Sequence, residues 1–282
     1  MRIGDYDLRT AIRTPHGMRY EATHRFLPRR AVIEVSGTRT GARAEAVRLL
    51  KQACLVDALH HPAIPRVYEC GTHDGQPWVA FERVEGVPLA VELRAGALDL
   101  DDLLEILDGV AGALAHAHLR GVLHRDITPA SILVRAIGRA CPVVLGDWTS
   151  ACTFDTELRV PLRGAERFRA PEIVEDDVLD GRADVFALGT VAREALAAIG
   201  DPHHDELSAL LARMTATERF ERPSAAEVRA EVRMFRSARL VDHAEPVVAQ
   251  ERTRKLRWTP QIPTEPVTSP PLPPRTRTRP RG

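Results

Sequence analysis

The sequence predicts an α+β chain in two parts, a small sheet carrying one helix and then a mostly helical body. Three observations carry that prediction. Apolar and polar residues alternate through the strands of the N-terminal third, whereas from about residue 99 the apolar residues recur mainly at helical spacing. Past about His243 both patterns give way to Pro, Thr and Arg. A chain of 282 residues is long enough to bury a substantial core and to divide into two lobes.

Taken in order, "YDLRTAI" and "MRYEAT" alternate like paired strands, and "AVIEV" is an apolar run of strand length. "GARAEAVRLLKQACLVDAL" places Ala46, Leu49, Leu50, Ala53 and Val56 on one helical face. "RVYECGTHDGQPWVAFERV" reads as a hairpin turning at Asp74-Gly75, a pair suited to the positive φ of a tight turn. "DLDDLLEILDGVAGALAHAHLRG" is a long amphipathic helix stopped by Gly121. "SILV" and "PVVLGD" are short strands flanking a turn. "ADVFALGTVAREALAAIG", "DELSALLARMTA" and "SAAEVRAEVRMFRSARL" are helices, the last opening on a Ser224/Glu227 capping box.

Composition excludes several function classes. Lys+Arg and Asp+Glu stand at 39 each, so bulk charge points to neither nucleic acid nor membrane. The four cysteines, Cys54, Cys70, Cys141 and Cys152, have no paired spacing, which argues against a zinc site or a disulfide framework. "MRIGDYDLRT" lacks the apolar segment of a secretory signal, and the longest apolar stretch is broken by Arg193 and Glu194. The expectation is a cytoplasmic protein without a transmembrane segment.

Five marks in order resemble the eukaryotic-like Ser/Thr protein kinase family, as found in bacteria. His124-Arg125-Asp126 is similar to its catalytic loop, and Asp147-Trp148-Thr149 sits where the Asp-Phe-Gly metal motif belongs. Ala170-Pro171-Glu172 ends an activation segment, Asp184 in "DVFALG" opens a buried helix, and Arg222 in "ERPSA" sits where a structural Arg pairs with Glu172. The resemblance covers about residues 5–240 and implies a bilobal fold, with an N-lobe of about 5–83 and a C-lobe of about 84–240. Only "DPHH" separates "REALAAIG" from "DELSALLARM", so the family's substrate-docking helix segment is absent.

The resemblance also implies ATP and Mg²⁺ as cofactors, and here the residues depart from it. Phosphoryl transfer rests on cations at the phosphates, metal bridging them and a carboxylate orienting the hydroxyl. The strand Lys position is Glu34, and its helix partner position is Gln52. Facing a polyphosphate, a carboxylate replaces an attraction of about 4 kcal/mol, at about 4 Å and an effective dielectric near 20, by a repulsion of similar size. Lys51 is the only lysine within the domain. Glu34 is therefore expected to bond Gln52, or Arg48 one turn earlier, holding the helix without nucleotide. Of the glycine-rich loop only Gly17 survives, Ile12 and Thr14 taking the other two glycine positions. Arg19 takes the residue that roofs the base and Val32 the small Ala, with Phe81 and Leu133 completing a degenerate nucleotide cleft. Arg19 either fills the base space or turns outward.

In the catalytic loop Asp126 is the base if the protein is active, and scaffold if it is not. Thr128 replaces the Lys that neutralises the transferring phosphate. Ser131 replaces the metal-binding Asn and offers a weaker ligand, leaving Asp147 as the one metal carboxylate. Trp148-Thr149 in place of Phe-Gly stiffens a hinge. His124, Arg125, Glu172, Asp184 and Arg222 are structural in either case.

The reading that follows is a kinase-like domain with impaired or absent phosphotransfer, a regulator or scaffold in bacterial Ser/Thr phosphosignalling. The alternatives are a divergent active kinase in which Arg19 or Arg48 reaches the phosphates, and an interaction protein working through its tail. Residues 243–282 hold too little apolar surface to offset chain entropy and are expected to be disordered or polyproline-like. Eight basic residues follow Glu251 there, with Pro270–Arg275 forming a PxxPxR pattern. Thr259, Thr264 and Thr268 lie near prolines. Expected partners are proteins: an active Ser/Thr kinase, or a reader of phospho-Thr or polyproline, with no specific nucleic acid.

Overall fold

The structure, a computed structural model, describes residues 1–14, 17–36, 43–135, 141–154, 166–174, 179–200 and 205–242. One compact unit runs through residue 243. The expectations for the tail, with its PxxPxR and threonine sites, lie outside the described residues.

The N-lobe begins with the strands β1 (Arg2–Ile3), β2 (Tyr6–Thr14), β3 (Gly17–His24) and β4 (Arg30–Ser36). The helix α1 (Arg43–Asp57) follows, then the hairpin of β5 (Val67–His73) and β6 (Gln76–Glu82). All six strands form one sheet in the order β1-β2-β3-β4-β6-β5, with every pairing antiparallel. The Asp74-Gly75 turn is as expected, with φ of 50° and 76°.

The period of two divides the sheet's faces. Ala22, Ala31, Ile33, Val35, Trp78 and Ala80 pack on one side around Tyr6 and Ile3. Val79 lies on the other, against Leu49 and Ala53 of α1. Arg19, Val32, Glu34 and Phe81 alternate with the first set and so face the interlobe cleft, whose walls they line.

The C-lobe starts with β7 (Val87–Pro88) and the short helix α2 (Leu89–Ala95), which the sequence reading did not anticipate. Gly96, in the left-handed conformation, ends α2, and its amide donates to the Glu92 and Leu93 carbonyls. The helix α3 (Leu100–His118) is capped by a reciprocal Asp99/Asp102 box and buries Leu103, Leu107, Val110 and Leu114. Four short strands follow: β8 (Val122–Leu123), β9 (Ile132–Val134), β10 (Val143–Leu145) and β11 (Cys152–Thr153). Pairing of β9 with β10 and of β8 with β11 gathers these four strands into a platform that lines the cleft through Leu133 and Gly146.

The helices α4 (Pro171–Val174), α5 (Gly181–Ile199), α6 (Asp205–Met214) and α7 (Ala225–Asp242) complete the lobe. The Ser224/Glu227 box is formed at the start of α7. Asp108 of α3 accepts from Arg229, Arg233 and Arg236, which binds α7 along α3. Gly200 caps α5 with φ of 73°, and α6 begins at Asp205, the residues between them lying outside the described ones. No described helix is long and apolar enough to cross a membrane.

Candidate functional site

Between the lobes lies a cleft of about 610 Å³, open to solvent. Val32, Phe81, Val84 and Leu133 give it apolar walls, while Glu34, Gln52, Arg19 and Asp147 line it as its polar groups, with Glu82 at the margin.

Strand register decides what the polar groups do. Arg19 stands directly opposite Glu34 in the β3–β4 ladder, so their side chains share a face. Arg19 donates to Glu34 Oε1 from Nη2 at 2.6 Å and from Nε at 3.0 Å. The same Nη2 lies 3.6 Å from Asp147 Oδ1. One guanidinium thus spans two carboxylates, one from the sheet and one from the platform. Burial alone would weaken the Arg19 charge, but Glu34 and Asp147 together hold its pKa above the ordinary arginine value.

Of the two expected partners of Glu34, Gln52 makes no hydrogen bond to it among the described residues, and the side chain of Arg48 lies outside them. Arg19 does not turn outward; it lines the cleft and closes on Glu34. Gln52, 3% exposed, has no hydrogen-bond partner for its amide oxygen Oε1 among the described residues.

Asp147 occupies the left-handed region, φ 53° and ψ 57°, at the head of a single 3-10 turn over Trp148–Ser150. Thr149 Oγ1 donates to its Oδ1 at 2.8 Å. Trp148 is buried, donates from Nε1 to the Leu145 carbonyl and stands edge-on to His124 at 4.6 Å. His124 Nε2 donates to the Gly146 carbonyl and its Nδ1 accepts the Asp126 amide.

Asp126 is half-buried. Burial raises its carboxyl pKa and nearby Asp147 adds to the rise, against the opposing pull of His124, Arg169 and Arg125. Ser131 Oγ is committed locally: it donates to the Thr128 carbonyl at 2.9 Å and accepts from the Thr128 amide at 3.0 Å. It closes the loop as a turn device. Among the described residues no group of three or more His, Cys, Asp or Glu side chains is arranged to hold a metal. Gly17, at the mouth of the β2–β3 hairpin, pairs with Thr14 and Ser36.

The structural set is held by buried charge. Arg222 makes a two-pronged pair with Glu172, at 2.7 and 2.9 Å, and donates further to the Ala216 and Thr217 carbonyls. Asp184 accepts the amides of His124 and Arg125, and His118 Nε2 stands 2.8 Å away. Burial would raise the Asp184 carboxyl, but these bonds, that from His118 foremost, outweigh it and hold the pKa below the usual range. His118 was missed from sequence; a histidine in the last turn of a helix six positions before His124 is its only local signal. Arg125 is buried at φ 68°, its Nε and Nη1 without partners among the described residues.

With this geometry in hand, comparison with known proteins is decisive. Residues 31–206 match the protein kinase domain family. The chain belongs to that family. Its relatives include the serine/threonine-protein kinases PknJ and PknF of Mycobacterium tuberculosis. Each is 33% identical to it, over 178 and 190 residues respectively, covering 61% of this chain. PknI of the same organism is 31% identical over 149 residues, 51% of this chain. The matched regions span 30%, 38% and 23% of those relatives' own lengths. The bilobal α+β architecture is that of a protein kinase, with bacterial Ser/Thr kinases as its kin.

Proposed function

We propose that this kinase domain carries out little or no phosphotransfer and acts as a regulator or scaffold in bacterial Ser/Thr phosphosignalling, in the cytoplasm. The observation that carries the reading is the Arg19 guanidinium bridging Glu34 and Asp147. Protein kinases normally use ATP and Mg²⁺, and the residues in the cleft fit neither well. The strand position that ought to present a cation presents a carboxylate, and Arg19, the one cation lining that part of the cleft among the described residues, is bonded to it. Asp147 Oδ1 is already contacted by Thr149 and Arg19, and Ser131 Oγ bonds twice within its own turn. His124, Trp148 and Asp184 form a packed platform whose bonds require no nucleotide. On this reading Asp126 is scaffold, and its elevated pKa follows from burial.

The test is thermal denaturation of the full chain with Mg·ATP, together with an autophosphorylation assay in which Asp126→Asn is the control. A flat melting temperature and no Asp126-dependent phosphate incorporation are expected, since a ligand specific for the native state must stabilise it. Incorporation abolished by Asp126→Asn would establish the second reading, a divergent active kinase. One observation favours that reading: Arg19 places a cation within the cleft, 3.6 Å from Asp147. Protein partners, whether an active kinase or a phospho-Thr or polyproline reader engaging residues 243–282, are tested by a pull-down with and without that segment.

A further inference from the structure

Two histidines meet where the α1–β5 connection packs on α3. The ring of His61, in the connection, stands 5.0 Å from the ring of His116 on α3. Both rings are placed to accept. The Ala63 amide donates to His61 Nδ1 at 3.2 Å, and the Arg120 guanidinium, which can only donate, lies 3.3 Å from His116 Nδ1. His116 Nε2 is buried, with no hydrogen-bond partner among the described residues. Besides each other, the groups whose charge acts on the two rings are His60 of the connection, Arg120 of α3 and Arg229 of α7, none of them a carboxylate. Asp108, which pairs with Arg229, is shared with Arg233 and Arg236. An imidazolium at either position would set a donor against a donor, among cations, without a counter-ion of its own.

We propose that His61 and His116 form an acid-released latch, which pins the α1–β5 connection to α3 while both rings are neutral and frees it when either is protonated. The bonds beyond His61 define what the latch holds. The Ile64 amide donates to the His61 carbonyl at 2.9 Å, closing a turn that sets Ala63 and Ile64 into the core. The Ala63 carbonyl accepts the Leu145 amide at 2.8 Å. Leu145 ends β10 two residues before Asp147, and its own carbonyl accepts the Trp148 indole N–H. The connection thus ties the helix that brings Gln52 to the cleft to the strand that leads into Asp147. Burial first, then His116, Arg229 and Arg120, lower the His61 pKa from the ordinary histidine value; burial, then Arg120 and His60, lower that of His116. With the rings released into water the connection binds protons more readily, so the latched form loses stability as pH falls from about 6.5 through the two lowered values. The device is separate from phosphotransfer and operates whether or not the cleft turns over ATP.

Amide exchange of the full chain, followed by NMR between about pH 7.5 and about pH 5.5 to bracket the ordinary histidine value, tests this. Protection of the Ala63 and Leu145 amides, corrected for the intrinsic pH dependence of exchange, is expected to fall by about threefold or more across that range. Amides within α5 are the control and are expected to keep theirs. His61→Asn retains an acceptor for the amide two residues on, and His116→Phe retains a ring, yet neither replacement titrates. The double variant is expected to hold its Leu145 protection throughout. Leu145 protection that stays constant in the natural protein overturns the latch, and so does a double variant that loses protection to the same extent. An equal loss in α5 marks global unfolding and overturns it too. Imidazole titration of the natural protein gives a reading that needs no variant. His61 and His116 are both expected to titrate below about 6.5, and either one titrating at or above that value overturns the inference.

Discussion

The Arg19–Glu34 pair makes the sharpest energetic prediction. Removing Arg19 strips two hydrogen bonds, of 2.6 and 3.0 Å, from a carboxylate whose side chain is only 16% exposed. Fully exposed ion pairs contribute about 0.2–1 kcal/mol, and hydrogen bonds to charged groups in protected sites about 1.5–3 kcal/mol. Arg19, at 32% exposure, is intermediate, so solvent screens part of the attraction. A coupling of about 1–2 kcal/mol follows. Arg19→Ala alone is expected to lower the melting temperature by about 2–8 °C, at about 2–4 °C per kcal/mol for a domain of this size. The assay is a double-mutant cycle of Arg19→Ala and Glu34→Ala followed by denaturant unfolding. A coupling energy below about 0.3 kcal/mol would show that the two groups stand together without holding one another, and the bridge would lose its standing as the feature that closes the cleft.

Two further outcomes follow from buried charge. Arg222→Met leaves Glu172 buried and unpaired and is expected to cost about 3–5 kcal/mol, measured by denaturant unfolding. For Asp126 the folded pKa lies above the unfolded value because burial disfavours the anion. The folded state therefore binds more protons, and this group's contribution to stability falls as pH rises from the unfolded value through the folded one. Asp126→Asn should accordingly melt higher than the natural protein at neutral pH, with the gap closing below about pH 4. A gap of equal size at both pH values would refute that cause.

Much of the C-lobe was legible because its marks are contiguous. His124-Arg125-Asp126, Ala170-Pro171-Glu172 and Arg222 are read directly, and the Glu172–Arg222 pair joins residues expected to meet. The strands were legible from alternation: Ala31, Ile33 and Val35 face one way, Val32 and Glu34 the other. What the sequence hid was register. Whether Arg19 opposes Glu34 depends on how the connection through residues 25–29 closes β3 onto β4. A slip of one residue would place Arg19 beside an inward-facing neighbour. The closure is set by the His24 ring, whose Nδ1 accepts the amides of both Phe26 and Leu27, a local geometry with no pattern in composition. The short helix α2 was missed for a related reason. Seven residues carry too little periodicity to distinguish a helix from a loop, and its end signal is a lone Gly96. Ser131 shows the reverse limit: its identity was read, but its commitment to the Thr128 turn came only with coordinates.

The most direct test of the account is calorimetric titration of the unaltered full-length chain with ATP in the presence of Mg²⁺. A cleft whose only lining guanidinium among the described residues is bonded to Glu34 is predicted to give no binding heat up to millimolar nucleotide. Saturable binding at micromolar concentration, lost when Mg²⁺ is chelated, would contradict it.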